Sequence, residues 1–291
     1  MSVHGRGERE LERHGRSLHP PVERVGVGSV ADRTDQVARP GGLRTIAAVA
    51  DRYVAERFAD RPPVADLDVD VDEAFCTEVA DRFDEAVSCL TDAETQRCYA
   101  AMKRETLHQF HALVDGGVVV RPWLAGGQPY RSSAELRAQV DETSTIYVYL
   151  TRCGHGPCAE ADENHPMCEV SPVVIEDEPL LYNDLFRAVH DAFGHVMRGN
   201  GFGVSGEFLA THEHLRMYSD EARPAVFAET VGQISWFYYG PHLRSHGRLL
   251  RPGEPGYLPP ARRPYPQQKV FLFPDEILAR YDALFFERQT R

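Results

Sequence analysis

The segment Leu185–Gly240 constrains this chain most, because it places two histidines and a later carboxylate in sequence that otherwise has the composition of core helices. His190 and His195 lie in F-R-A-V-H-D-A-F-G-H-V-M, and Glu229 lies in A-V-F-A-E-T-V-G-Q. Two imidazoles and one carboxylate hold Fe(II) on one face and leave the other coordination positions open. Zinc accepts the same donors, so the ligands alone do not select the metal.

The spacing of the two histidines restricts the helix that carries them. Five residues of a regular α-helix turn through about 500°, so the two side chains would point about 140° apart. For both rings to reach one metal, the helix must open into a π-type turn or end near Gly194. The alternative is that His190 and His195 are buried helix residues with satisfied hydrogen bonds and no metal.

The H-D-A-F-G-H run resembles the H-E-L-L-G-H run of the aromatic amino acid hydroxylases, with the same spacing and a glycine before the second histidine. In that family the third ligand is a downstream glutamate in a helix of the type F-T-V-E-F-G-L. The run V-F-A-E-T-V-G-Q matches this helix at Glu229 and Gly232, and the likeness covers roughly Pro129–Trp236.

This resemblance implies a mainly α catalytic domain, with a few short β-strands, of the hydroxylase type. It also implies Fe(II) held by His190, His195 and Glu229, O2 as co-substrate, an aromatic amino acid as substrate and a reduced pterin as electron donor. Glu229 follows His195 by 34 residues, a somewhat shorter interval than in the family. No counterpart of the family's pterin-binding or regulatory segments is recognisable, so only the three ligands are carried over.

Three more side chains are candidates for the site. A carboxylate that accepts the other ring N–H of a ligating histidine orients that histidine, and Asp191 or Glu207 is expected to do this. Glu207 is also a reserve ligand. Either acid would serve as general base on a metal-bound water if the metal were zinc. Arg152 is expected to pair with a substrate carboxylate through a bidentate contact.

Cysteines and histidines are concentrated between residues 153 and 168. Thiolates and imidazoles at this density can hold a structural zinc ion, but the C-x4-C and C-x9-C spacings match no paired C-x2-C ribbon. We interpret the stretch as a Gly/Pro-rich loop near the active site and leave a zinc site open. Its candidate ligands are Cys153, His155, Cys158, His165 and Cys168.

Composition excludes some classes of partner. The formal net charge of −12 and the pI near 5.5 argue against a nucleic-acid partner, which would require a basic face. No apolar run approaches the ~20 residues of a membrane span. The N-terminus has no signal-peptide core, so we expect a cytoplasmic protein that acts on a small molecule. The oligomeric state is left open, with a homodimer among the alternatives.

The chain divides into a predicted disordered tail, residues 1–42, and a single catalytic domain, residues 43–291. The tail is rich in Arg, Glu, Gly and Pro and has little apolar periodicity. Apolar periodicity predicts a helix over Leu43–Ala59, and capping residues predict further helices that begin after Asp72, near Thr91 and after Ser132. Short strands are expected at Val118–Trp123, Thr145–Thr151 and Lys269–Phe273. Pro274 is expected to begin a terminal amphipathic helix that runs to about Arg288.

Three functions from different classes fit these observations. The first is a mononuclear non-haem Fe(II), O2-dependent oxygenase or hydroxylase that acts on an aromatic or amino-acid-like small molecule. The second is a zinc-dependent hydrolase that uses the same His/His/Glu site, although its histidines are spaced unlike the i, i+4 pair of H-E-x-x-H enzymes. The third is a non-enzymatic helical accessory protein. Metal identity separates them.

Overall fold

The computed structural model describes residues 41–61, 66–153 and 164–288, and this part of the chain is mainly helical, as the sequence predicts. Of the expected disordered tail, residues 1–40 lie outside these ranges. No helix in the described ranges is long and apolar enough to cross a membrane. The helices are α1 (Gly42–Arg57), α2 (Glu73–Glu85), α3 (Ala93–Asp115), α4 (Ser133–Thr143), α5 (Tyr182–His190), α6 (Val204–Leu215), α7 (Arg223–Phe227), α8 (Gln233–Tyr239) and α9 (Asp275–Asp282).

Short strands form four separate two-stranded pairs within the described ranges. They are β1 (Leu67–Val69), β2 (Val119–Trp123), β3 (Thr145–Tyr149), β4 (Val170–Ile175), β5 (Glu178–Leu181), β6 (Arg244–Ser245), β7 (Arg248–Leu249) and β8 (Phe285–Glu287). Strands β2 and β3 pair in parallel with α4 between them, while β1–β8, β4–β5 and β6–β7 are antiparallel.

Helix starts follow the local capping chemistry. Asp72 accepts a hydrogen bond from the Ala74 amide at 2.8 Å, and Ser132 accepts one from the Glu135 amide at 3.2 Å. Both starts are confirmed. At α3 the capping side chain is Asp92 rather than Thr91, and it accepts from the Thr95 amide at 2.7 Å. Side-chain acceptors at these positions satisfy amides that have no partner inside the helix.

Two sequence predictions for the C-terminal region are wrong. The segment 269–273 pairs with no strand, although Val270, Phe271 and Phe273 are buried as the apolar pattern indicates. Helix α9 ends at Asp282, and the chain then forms β8 against β1. The apolar run at 269–273 therefore predicted burial correctly but strand pairing incorrectly. Helical periodicity predicted α9 but not where it ends.

Buried apolar side chains form two cores, and α3 contributes to both. The first core lies among α2, the first half of α3, α7, α8 and α9; the second lies among α1, the second half of α3, β2, β3, α4 and α5. Helix α5 adds Phe186 to the first core and Leu185 and Val189 to the second. The C-terminal end of α5 is therefore held from two sides by close-packed side chains, which fixes the residues that follow it.

Two π-helical segments interrupt otherwise α-helical stretches. One, Asp191–Val196, continues α5, and the other, Ala228–Gly232, joins α7 to α8. The first is the π-type turn that, together with a helix end near Gly194, was one of the two ways for both histidines to reach one metal. The second contains Glu229.

Candidate metal centre

The first π segment brings the two histidines onto one side of the helix. His190 is the last residue of α5 and His195 is the fifth residue of the π segment. Their ring centroids are 5.1 Å apart and their planes are nearly perpendicular, at 85°. The wider turn of a π segment accommodates the extra residue that would separate these side chains on an α-helix.

Glu207, in the first turn of α6, completes the group. Its Oε2 atom lies 3.4 Å from His195 Nε2 and 3.7 Å from His190 Nε2. Donor atoms bound about 2.1 Å from one metal are separated by about 3 Å, so small side-chain movements would close the group around an ion. His190, His195 and Glu207, here called the ligand cluster, form the only group of three or more candidate ligands found in the described ranges.

Two glycines allow the backbone approaches that place Glu207. A Cβ atom on Gly194 would lie 3.0 Å from the Ala210 carbonyl oxygen, so the π segment packs against α6 at van der Waals contact. A Cβ atom on Gly206 would lie 2.1 Å from the Gly201 carbonyl oxygen, which no side chain tolerates. The turn after the π segment therefore folds back onto α6, and the residue after Gly206 is carried to the histidines.

The second ring nitrogen of each histidine is already engaged. His195 Nδ1 lies 3.1 Å from the Asn200 carbonyl oxygen, and Asn200 Nδ2 donates to the Gly194 carbonyl at 2.8 Å. His190 Nδ1 lies 3.1 Å from Nδ1 of His214. Hydrogen bonds at Nδ1 leave Nε2 of both rings directed at Glu207, as expected for ligating histidines.

Charge in the ligand cluster is strongly coupled. Burial acts to lower the pKa of His195, but the Glu207 carboxylate, with Asp191 and the Asn200 carbonyl, outweighs it and raises that pKa to about 9. Burial acts to raise the pKa of Glu207, but His195 and His190 outweigh it and lower that pKa to about 2. The metal-free cluster is therefore a charged pair between His195 and Glu207. A metal ion would replace the imidazolium proton, as it does wherever ligands must be deprotonated to bind.

A cleft of about 210 Å³ opens beside His190 and Asp191. It is smaller than the clefts of about 300–1,000 Å³ that hold drug-sized ligands, so it suits a small molecule. Burial raises the pKa of Asp191 despite the nearby histidines, and Arg187 donates to the Tyr149 carbonyl at 2.9 Å. The other residues that line the cleft are mostly aromatic: Gln128, Pro129, Tyr130, Tyr149, Phe186 and Phe202.

The structure does not bring Glu229 into the ligand cluster. Its carboxylate accepts from Tyr99 Oη at 2.7 Å and from Gln233 Nε2 at 2.9 Å, and it lies 3.2 Å from His165 Nε2. These four residues, here called the Glu229 cluster, are held together because α7 packs against α3, which carries Tyr99. Of the two glutamates, Glu207 and not Glu229 therefore lies beside the two histidines.

Arg152 and the described residues of the 153–168 stretch lie apart from the ligand cluster, whereas Asp191 lies beside His190 in the cleft. Arg152 forms an ion pair with Glu178 at 2.5 Å and does not line the cleft. Cys153 is exposed and Cys168 is partly buried, whereas His155 and Cys158 lie outside the described residues. His165 is fully buried in the Glu229 cluster.

Two contributors to the site were not expected from the sequence. Asn200 precedes Gly201, a pair typical of turns, so its position was readable but its carbonyl's contact with His195 was not. His214 lies on α6, where no spacing rule connects it to His190. Both contacts join segments whose packing is set by tertiary structure.

Comparison with protein-family models, with curated proteins and with solved structures finds no match to this chain. A functional assignment therefore depends on the geometry and chemistry of the ligand cluster and its cleft.

Proposed function

We propose that this protein is a mononuclear non-haem Fe(II), O2-dependent oxygenase with His190, His195 and Glu207 as its metal ligands. The observation that carries the proposal is the convergence of two histidine Nε2 atoms and one carboxylate oxygen beside an aromatic cleft. This donor set binds iron on one face and leaves positions open. When bound, a ferrous ion would supply the activation of O2 that side chains cannot.

The chain's own residues would orient the substrate and exclude water. Phe202 packs edge-on against His195 with ring centroids 4.9 Å apart, and Phe186 stacks on His190 at 5.7 Å, so apolar rings flank both ligands. The Asp191 carboxylate and the Arg187 guanidinium offer an acceptor and donors for polar groups of a small planar molecule in the cleft.

The hydroxylase resemblance supports an aromatic or amino-acid-like substrate for this cleft. The H-x4-H spacing and the glycine before the second histidine agree with it, while Glu207, 12 residues after His195, departs from the family's more distant third ligand. A reduced pterin as electron donor rests on the resemblance alone.

Metal content tests the proposal directly. Protein purified without oxygen should carry about one iron per chain, the stoichiometry of a single two-histidine, one-carboxylate site, and His190→Ala should abolish it. Ferrous iron should then support O2 consumption with small aromatic compounds. Zinc at the same stoichiometry, with no O2 consumption, would favour the hydrolase. Absence of metal from the folded wild-type protein would overturn both enzyme proposals.

A further inference from the structure

The Nδ1 atom of His190 begins a chain of hydrogen bonds that leads away from the ligand cluster. It lies 3.1 Å from His214 Nδ1, and His214 Nε2 lies 2.7 Å from Gln109 Oε1. Gln109 Nε2 in turn donates to the Met217 carbonyl oxygen at 2.9 Å. His214 and Gln109 are fully buried, so the chain runs through the interior from α5 across α6 to α3.

The acceptor at the far end of this series of hydrogen bonds fixes which atom donates and which accepts at every step. A backbone carbonyl only accepts, so Met217 requires the amide nitrogen of Gln109 and turns the Gln109 oxygen toward His214. An amide oxygen also only accepts, so His214 must carry its proton on Nε2. In the described ranges His214 contacts no carboxylate that would stabilise a second proton, so its Nδ1 has none. The Nδ1–Nδ1 contact is therefore made by a proton on His190 Nδ1.

We propose that His214 and Gln109 are positioning residues that hold His190 in its Nδ1–H tautomer, so that the Nε2 lone pair faces the metal position. This inference rests on the proposed metal centre, whose second histidine is oriented differently. His195 has a backbone carbonyl at Nδ1, which selects the same tautomer in one step. At Nδ1, His190 meets another imidazole, which has no fixed tautomer of its own, so Gln109 must select the tautomer of His214.

Packing allows the relay to be removed without opening a cavity. Phe186 stacks on both His190 and His214, with 5.7 Å between ring centroids in each case. A phenyl ring at position 214 would keep this stacking and remove both nitrogen atoms, at the cost of a slightly larger ring in a fully buried position. His212 is the matched control, because it lies on the same helix and packs against Phe285 at 4.1 Å instead.

The test compares His214→Phe with His212→Phe in two measurements. In metal-free protein, the ¹⁵N chemical shifts of His190 should report a proton on Nδ1 in the wild type and loss of that proton in His214→Phe. In a Co(II) titration, His214→Phe should weaken binding by about 10–100-fold, the usual effect of losing a partner that orients a ligand. His212→Phe should change neither result.

Two further variants separate positioning from general damage. His214→Asn places an acceptor oxygen near the position of Nδ1 and should restore part of the His190 tautomer and of the Co(II) affinity. Gln109→Met keeps the side-chain length but removes the acceptor for Nε2–H, so it should shift His190 in the same direction even if His214→Phe does not fold.

The outcomes distinguish this inference from the proposed function. A His190 Nδ1 atom without a proton in the wild type, or unchanged Nδ1 protonation and Co(II) affinity in both His214→Phe and Gln109→Met, would overturn the relay. A wild-type protein that binds no metal but shows the expected tautomer shifts would overturn the metal centre and leave the positioning of His190 intact.

Discussion

The ligand cluster and the Glu229 cluster contain the same residue types, a glutamate with one or two histidines, but their carboxylates have different hydrogen-bond partners. Each contains a buried or largely buried glutamate and at least one histidine, and each has one member on a π-helical segment, His195 or Glu229. Glu229 receives hydrogen bonds from a phenol and an amide and also faces a histidine nitrogen. In the described ranges, Glu207 faces only the two histidine nitrogens of its cluster.

Under the proposed function, this difference separates a cluster that binds a metal from a cluster that stabilises the fold. A buried carboxylate that accepts hydrogen bonds from neighbouring side chains is stable without an ion. A bound ion would displace those donors and leave them buried without partners. A carboxylate that faces two imidazoles completes a set of three ligands when a metal ion replaces the proton between them. The π segment is common to both clusters, so it does not by itself identify a functional site.

The largest expected effect is on metal affinity. Glu207→Gln should weaken Co(II) binding by at least about 100-fold, because it removes the anionic ligand, whereas Glu229→Gln should change it less than about threefold. Isothermal titration of both variants measures this. Equal losses, or a larger loss in Glu229→Gln, would return Glu229 to the place that the sequence assigned to it.

For the free energy of unfolding, the Glu229 cluster should matter more than it does for Co(II) affinity. Tyr99→Phe removes the phenolic donor to Glu229 and should lower the free energy of unfolding by about 1–3 kcal/mol, the cost of leaving a buried acceptor under-satisfied. Urea denaturation measures the change. The same variant should bind Co(II) as the wild type does; a stable Tyr99→Phe that has lost Co(II) would contradict the division between the two clusters.

The pH dependence of the metal-free protein should reflect the ligand cluster. The pKa of Glu207 is lowered from 4.5 to about 2, so its contribution to stability is present above pH 4.5 and is lost as pH falls toward 2. The pKa of His195 is raised from 6.5 to about 9, so its contribution is present below pH 6.5 and is lost as pH rises toward 9. The charged pair therefore stabilises most between pH 4.5 and 6.5.

Chelator-treated wild-type protein should lose on the order of 1–2 kcal/mol of unfolding free energy between pH 6.5 and 9. Glu207→Gln should flatten this decline, and Glu229→Gln should preserve it. Denaturant titrations across this pH range provide the measurement. A decline of the same size in Glu207→Gln would show that another group is responsible.

The smallest effect is expected from the glycine contact that supports the ligand cluster. Gly194→Ala forces the π segment and α6 apart at the Ala210 carbonyl and should cost about 1 kcal/mol of stability with a severalfold loss of Co(II) affinity. Gly126→Ala is the control, because a Cβ atom there meets nothing within 4 Å. If Gly194→Ala matched Gly126→Ala in both measurements, the close approach would have no role in placing Glu207.

Local features of the fold were largely readable from the sequence. The caps at Asp72 and Ser132, the helix near residues 43–59 and the π-type opening after His190 all follow from short-range chemistry or geometry. The β4–β5 hairpin was not predicted. Its turn residues, Glu176 and Asp177, both have positive φ values, 53° and 63°. Non-glycine residues rarely adopt this conformation, so the sequence offered no turn signal there.

The choice between the two glutamates was not readable. Both Glu207 and Glu229 lie on helices that follow the histidines, and helical periodicity describes the face of each helix but not its neighbour. The packing of Gly206 on Gly201 directs Glu207 to the histidines, and the packing of α7 on α3 directs Glu229 to Tyr99. Residue spacing along the chain carries no information about either contact.

The π segment after α5 also has a consequence for how metal sites are recognised in sequence. Pattern searches for helical ligand pairs usually admit residues three or four apart, because these share a face of an α-helix. Here the helix holds one additional residue between His190 and His195, and the pair shares a face only because of that insertion. Searches of that kind therefore miss this pair, and deleting a single residue such as Ala192 would leave the two histidines four apart, where a regular α-helix places them on one face.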